Sequence, residues 1–303
     1  MKSLSQKHNA IRALNLAGLC LTTLLFVACG SGPNLDTSEV NDVFADGKNP
    51  VGLLEARAAK ESNTAQFGQA IGYEYHANQY CTAFLREDGM ILTESDCVHN
   101  AKKRKAVETG QIRAYFRLPS DSQTEEIKIK RVVASGVANS KNWVVLEPDN
   151  RFTLLAKYGG LALQSHQEAM AEGETTIETK IVSIIPPTSS GETKYAIHTG
   201  TITNDFQIET AIRERAQELM RISNTRLLLE DALKEARRNI EADPASALSA
   251  VPRVGIRIRE AREFSSAGGV VLRDGKVVAI MPRSINKGKD RQETASRVGN
   301  LPF

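Results

Sequence analysis

From Gln69 onward the chain is cut into short apolar runs separated by polar turn residues. Residues 70–75 (AIGYEY), 80–85 (YCTAFL) and 90–93 (MILT) come first, the last two joined by Arg86-Glu87-Asp88-Gly89. Residues 112–117, 127–133 and 143–146 follow, and then 179–185, 195–203, 254–258, 269–272 and 276–280. Short runs rich in β-branched and aromatic side chains, bounded by turn residues, predict strands. Many such strands with few helices predict an all-β barrel or sandwich, and their number fits two six-stranded antiparallel barrels.

One segment breaks this rhythm. Between 206 and 243, apolar residues fall at Ile208, Ile212, Leu219, Ile222, Leu229, Leu233 and Ile240, with charges of both signs between them. That spacing predicts amphipathic helix, ended by Asp243-Pro244. A single helix over this stretch would run about 57 Å, too long for a small barrel domain. A break near Ser223-Asn224-Thr225 into a helical hairpin is therefore expected, with the apolar stripe packed on itself or on a barrel. The competing reading is an arm that binds a partner helix.

The first 28 residues follow another pattern. Lys2, Lys7 and Arg12 precede an apolar run from 14 to 28, too short and wrongly flanked for a membrane-spanning helix. The run ends Leu25-Phe26-Val27-Ala28-Cys29-Gly30, which resembles a bacterial lipoprotein cleavage box. The resemblance implies a signal peptide at 1–28 and acylation (palmitate) of Cys29 as the mature N-terminus. It also implies a lipid-anchored protein of the cell envelope, facing the periplasm or the exterior. Residues 29–42 are polar and read as a flexible tether; residues 284–303 read as a polar, poorly ordered C-terminal tail.

Removing the leader changes the charge. Lys+Arg falls from 39 to 36 against 36 Asp+Glu, so the formal +3 belongs to the leader. The remainder is near neutral, and nothing points to nucleic acid. The four cysteines divide as Cys20 in the leader, Cys29 at the cleavage box, and Cys81 and Cys97. No His, Cys or carboxylate spacing suits zinc, so neither metal nor cofactor is expected. The basic run 102–105 reads as a solvated loop, the other reading being a contact with anionic lipid head groups.

Two blocks carry the chemistry. Cys81-Thr82-Ala83-Phe84-Leu85, leading to Thr93-Glu94-Ser95-Asp96-Cys97-Val98, resembles the segment of trypsin-like serine proteases that holds the catalytic histidine. Ser265-Ser266-Ala267-Gly268-Gly269-Val270 resembles their nucleophile and oxyanion loop. Residues 43–48 (VFADGK) resemble the opening of glutamyl-endopeptidase-type members. The resemblance runs over 43–283, interrupted by the helical insertion at 206–243. It implies two orthogonal barrels, a Cys81–Cys97 disulfide, and backbone N–H groups of Ser265 and Ala267 as the oxyanion donors.

The residues at the three catalytic positions are the wrong ones. Asp96 stands at the histidine position, and a carboxylate does not shuttle protons near neutrality as imidazole does. Asn142, in the run 141–146 (KNWVVL), stands at the acid position without the charge that steadies an imidazolium. Ala267 stands at the serine position, and a methyl group attacks nothing. Ser265 replaces a glycine, so the loop is strained or reshaped if that residue requires a positive φ. The expectation is a pseudoprotease: the fold kept, the triad lost, with a peptide or protein partner held in the old cleft. Two alternatives stand beside it. One is an active endopeptidase with a rearranged site, Ser265 or Ser266 acting with His99. The other is a structural envelope lipoprotein that binds through its helical insertion. His76, His166 and His198 have no motif context.

Overall fold

The computed structural model describes residues 33–298, except 57–78, 101–104, 107–108, 136–142, 170–173, 188–191, 224–227, 244–252, 262–263, 283–284 and 287. The leader, Cys29, the expected strand at 70–75, His76, residues 102–104 and Asn142 lie outside the described residues.

The described chain opens with β1 (Asn34–Asp36). The first barrel uses β2 (Val51–Ala56), β3 (Gln79–Leu85) and β4 (Ile91–Thr93). A two-stranded hairpin, β5 (His99–Asn100) and β6 (Lys105–Ala106), leads out and back. The barrel is completed by β7 (Ile112–Phe116), β8 (Glu125–Ser135) and β9 (Val144–Pro148), closing in the order β2-β3-β4-β9-β8-β7. Two short helices, α1 (Arg151–Tyr158) and α2 (His166–Ala169), cross to the second half. There β10 (Thr176–Ile185), β11 (Glu192–Thr203), β12 (Arg253–Ala261), β13 (Val270–Arg273), β14 (Lys276–Ile280) and β15 (Gly288–Arg297) form the second sheet. Its order is β11-β10-β13-β14-β15-β12, and the β11–β12 pairing closes the ring. The result is two six-stranded antiparallel barrels, the fold expected of a trypsin-like chain.

Local chemistry explains the corners. The β13–β14 turn places Asp274 at φ 50° and Gly275 at φ 75°. Two consecutive left-handed residues make a hairpin turn that matches strand twist, and Asp-Gly is the pair that accepts it. Between the barrels runs one apolar seam: Leu53, Phe84, Leu92 and Tyr115 of the first pack in a single cluster with Val182, Ile184, Tyr195 and Ile280 of the second. A polar bolt crosses the same seam. Asn49 Nδ2 donates to the Tyr195 hydroxyl at 2.8 Å, and that hydroxyl donates to Val51 O at 2.7 Å.

Two expected boundaries are corrected. The stretch read as tether, 29–42, is docked from Asn34 onward. β1 pairs in parallel with Glu192, Thr193 and Lys194, and Leu35 and Val40 are fully buried. Burial of two aliphatic side chains fixes a segment whose composition alone reads as linker. The polar tail, 284–303, contains β15, which pairs with Arg253–Ala261 along nearly its whole length. Ala295, Ser296 and Val298 are buried there. That strand is held by its backbone ladder, which composition does not reveal.

The helical insertion is a hairpin. It comprises α3 (Asn204–Ile222) and α4 (Leu229–Ala242), with the break where the sequence places it. Its stripe packs on itself, burying Ala211, Ile212, Ala216, Ala232, Ala236 and Ile240. The root is bolted to the second barrel. Gln207 Nε2 donates to Gly255 O at 2.8 Å, Gly255 N–H donates to Gln207 Oε1 at 3.3 Å, and Glu214 pairs with Arg253 at 3.4 Å.

Candidate functional site

The loop 264–269 enters β13 and lies where the barrels meet. Its backbone is hydrogen-bonded at Ser265, Ser266, Ala267, Gly268 and Gly269. Ser265 N–H donates to Ile285 O at 2.9 Å, and Ile285 N–H returns to Ser265 O at 3.1 Å. Ser266 N–H donates to Ile184 O at 2.7 Å, and Thr82 N–H to Ala267 O at 2.7 Å. Gly268 N–H donates to Met281 O, and Met281 N–H to Gly269 O, both at 2.8 Å. The loop is zipped to Met281 and Ile285 on one side and to Thr82 and Ile184 on the other.

The side chains complete the stitching. Thr82 Oγ1 accepts the Ile184 N–H at 2.9 Å and shares a 2.9 Å hydrogen bond with Ser266 Oγ. Thr93 Oγ1 donates to Thr82 O at 2.6 Å. Gly268 carries the loop's left-handed conformation, at φ 85°, and a Cβ there would strike Thr82 O. Ser265 is not among the described non-glycine residues with positive φ. Ser265 forms an antiparallel bridge with Ile285.

This has a chemical consequence. An oxyanion hole needs N–H groups aimed at empty space where charge develops. The N–H of Ser265, expected as one donor, already serves Ile285 O. Ala267, half-buried, packs against the first barrel's core and offers no nucleophile. The hydroxyls beside it turn inward. Ser265 is fully buried, its Oγ 3.5 Å from Nε2 of buried His198; Ser266 is buried with its Oγ on Thr82. His198, which has no motif around it in the sequence, is thus the imidazole that meets Ser265. His99 begins β5, and its side chain lies outside the described residues.

At the Asp96 turn the Cys81–Cys97 bridge is formed, with Cα atoms 6.1 Å apart. It pins a single 3₁₀ turn, Ser95–Cys97. Asp96 is exposed on that turn. The residue that sequence reasoning missed is Glu94, 1% exposed, whose Oε2 accepts the Asp96 N–H at 2.8 Å and so caps the turn. Ser95 Oγ lies 3.3 Å from its Oε1. Desolvation by burial, with the neighbouring Asp96 charge, pushes the Glu94 carboxyl up to about 8. The two acids therefore differ in kind: Asp96 faces water, and Glu94 is a neutral carboxylic acid at pH 7 inside the protein. Among the described residues no three His, Cys, Asp or Glu side chains converge as a metal site requires. Nor is any described helix long and apolar enough to cross a membrane.

No family model and no curated protein matches the sequence. Solved structures do align with it. An inactivated protease paralogue of the scabies mite is 11% identical, with a TM-score of 0.47 over 84% of this chain and 92% of that one. A Glu endopeptidase is 13% identical, with a TM-score of 0.47 over 89% and 93%. Kallikrein-related peptidase 10 is 11% identical, with a TM-score of 0.42 over 84% and 93%.

Proposed function

We propose that this chain is a catalytically silent serine-protease-fold protein, held at the cell envelope by acylation of Cys29, that works by binding a peptide or protein partner. The observation that carries the reading is the Ser265–Ile285 pairing. It occupies an N–H that acyl-transfer chemistry would need free, beside a residue, Ala267, that has no nucleophile. Loss of the side chain alone would be reversible by one substitution. Loss of the donor is built into the backbone of the loop.

The experiment is Ala267→Ser in the full chain, treated with a fluorophosphonate probe and assayed on a mixed peptide library. The silent reading expects neither labelling nor turnover, in this variant or in the parent. Labelling of the parent at Ser265 or Ser266, abolished by alanine at that serine, would instead establish the rearranged endopeptidase. Labelled palmitate incorporated by the parent, and not by Cys29→Ser, tests the anchor separately.

A further inference from the structure

β1 begins five positions after Cys29, and it is held by both barrels. Asn34, Leu35 and Asp36 pair with Glu192, Thr193 and Lys194 at the start of β11, in the second barrel. From the first barrel, the Thr124 hydroxyl accepts the Leu35 N–H at 3.1 Å. Arg117 Nη1 donates to Asn34 Oδ1 at 2.7 Å and to Leu35 O at 2.8 Å. Leu35 itself is fully buried. The strand is part of the body, so only the residues between Cys29 and Asn34 are left to act as a tether.

That length sets a limit. An extended chain covers at most about 3.6 Å per residue, so an acylated Cys29 keeps Asn34 within roughly 18 Å of the bilayer surface. A folded body of this size is on the order of 45 Å across. The tether is less than half of that. The corner at β1 stays against the membrane, and the opposite pole does not reach it.

The helical hairpin stands at the opposite pole. β1 meets the first three residues of β11, and α3 leaves from the other end of that strand, Thr203 to Asn204. The 12 residues of β11 separate the two ends by up to about 36 Å. The Gln207–Gly255 and Glu214–Arg253 contacts run α3 antiparallel to β12, and β12 is antiparallel to β11. α3 therefore continues away from β1, for about 28 Å more over its 19 residues.

The β1 corner is polar. Asn34, Ser38, Glu39 and Glu192 are exposed, and Lys194 pairs with Glu192 at 3.7 Å. None of the exposed large hydrophobic side chains among the described residues lies in it. It has no apolar group to insert into hydrocarbon, and its charges are of both signs, so lipid charge does not draw it down. Such a surface lies on head groups because the acyl chain holds it there.

We propose that the corner formed by β1 and the start of β11 rests on the head groups of the membrane that anchors Cys29, with the α3–α4 hairpin turned away from that membrane. This rests on the acylation of Cys29, and it gives the anchored body a fixed polarity.

The test places one fluorophore on the acylated chain in phosphatidylcholine vesicles, through Glu192→Cys or Glu230→Cys, with a nitroxide carried on the lipid head group. Both residues are exposed; Glu192 lies opposite Asn34, and Glu230 is in the first turn of α4. The quencher should remove about half of the emission at position 192, which lies within tether reach, and leave that at position 230 unchanged. Inserting about twenty Gly and Ser residues after Gly32 lengthens the tether to roughly 25–30 Å on average and should restore the emission at 192. Equal quenching at the two positions, no quenching at 192, or quenching at 192 that persists with the long tether would overturn the proposal and leave the anchor standing. Failure of the parent to incorporate labelled palmitate would remove the anchor, and the proposal with it. Emission at 192 that falls with protein density on vesicles without nitroxide would assign the corner to a second copy and overturn it too.

Discussion

Glu94→Gln isolates the energetic cost of a buried carboxyl beside Asp96. Glutamine keeps an oxygen to accept the Asp96 N–H and removes the titration. The sign follows from linkage. In the unfolded chain the carboxyl titrates near its ordinary 4.5, while in the fold desolvation raises it to about 8. Between those values the folded state binds a proton that the unfolded state has released, so stability falls as pH rises. The contribution is complete below about 4.5, declines across the window, and is constant above about 8. At 1.36 kcal/mol per pH unit, the gap corresponds to at most about 5 kcal/mol. With a urea slope of about 2–3 kcal/mol per molar, that is a midpoint change of up to roughly 2 M. Urea unfolding at pH 5, 7 and 9, with the disulfide intact, gives the measurement. The parent should lose stability relative to Glu94→Gln at each step, and the variant should be the more stable protein at pH 9. Parallel pH profiles for the two proteins would refute the reasoning, because they would mean that Glu94 is ionised in the fold.

The remaining predictions concern the stitching. Thr82→Val removes the hydroxyl that holds both the Ile184 N–H and Ser266 Oγ. Leaving two buried polar groups without this partner should cost about 2–5 kcal/mol in thermal or urea unfolding, and Thr82→Ser should restore most of it. Replacing Cys81 and Cys97 together by serine releases a 16-residue loop closure and should cost about 3 kcal/mol. The same assay should show that loss vanish when the parent is measured fully reduced.

What the sequence made legible had a local signature. The cysteine block and the Ser265–Gly269 loop carry residue types whose order has chemical meaning, and the hairpin carries a 3.6-residue period over 38 positions. β2 has no such signature: all six of its residues are buried, so neither face alternates. Helix α1 is only eight residues long, with Leu154 and Tyr158 as its buried pair, too little for a period to register. β15 is polar in sequence, and its backbone ladder to β12 and β14 leaves no mark on composition. At the site, Asp96, Asn142 and Ala267 were named through the resemblance, and Asn142 lies outside the described residues. Their consequence could not, since the partner of the Ser265 N–H lies twenty residues onward, at Ile285. The burial of Glu94 is likewise a tertiary fact about a residue whose type predicts exposure.

Those two unread facts bear on one another. A protease loop of this kind must keep N–H groups unsatisfied and a hydroxyl accessible, and both conditions oppose folding: unpaired buried donors cost about 1–3 kcal/mol each. On the proposed reading, with a methyl at Ala267 and no reaction to serve, nothing favours keeping them open. The loop's described contacts follow that logic. Its donors reach Ile285, Ile184 and Met281, its serines turn into the barrels, and its glycine sits tight against Thr82. The histidine-position turn follows it too, with a neutral acid capping a disulfide-pinned turn where a proton shuttle would need to move. The junction between the barrels has become a strut. On the proposed reading, a strut of that kind is expected to be more rigid than a loop that must stay open for chemistry.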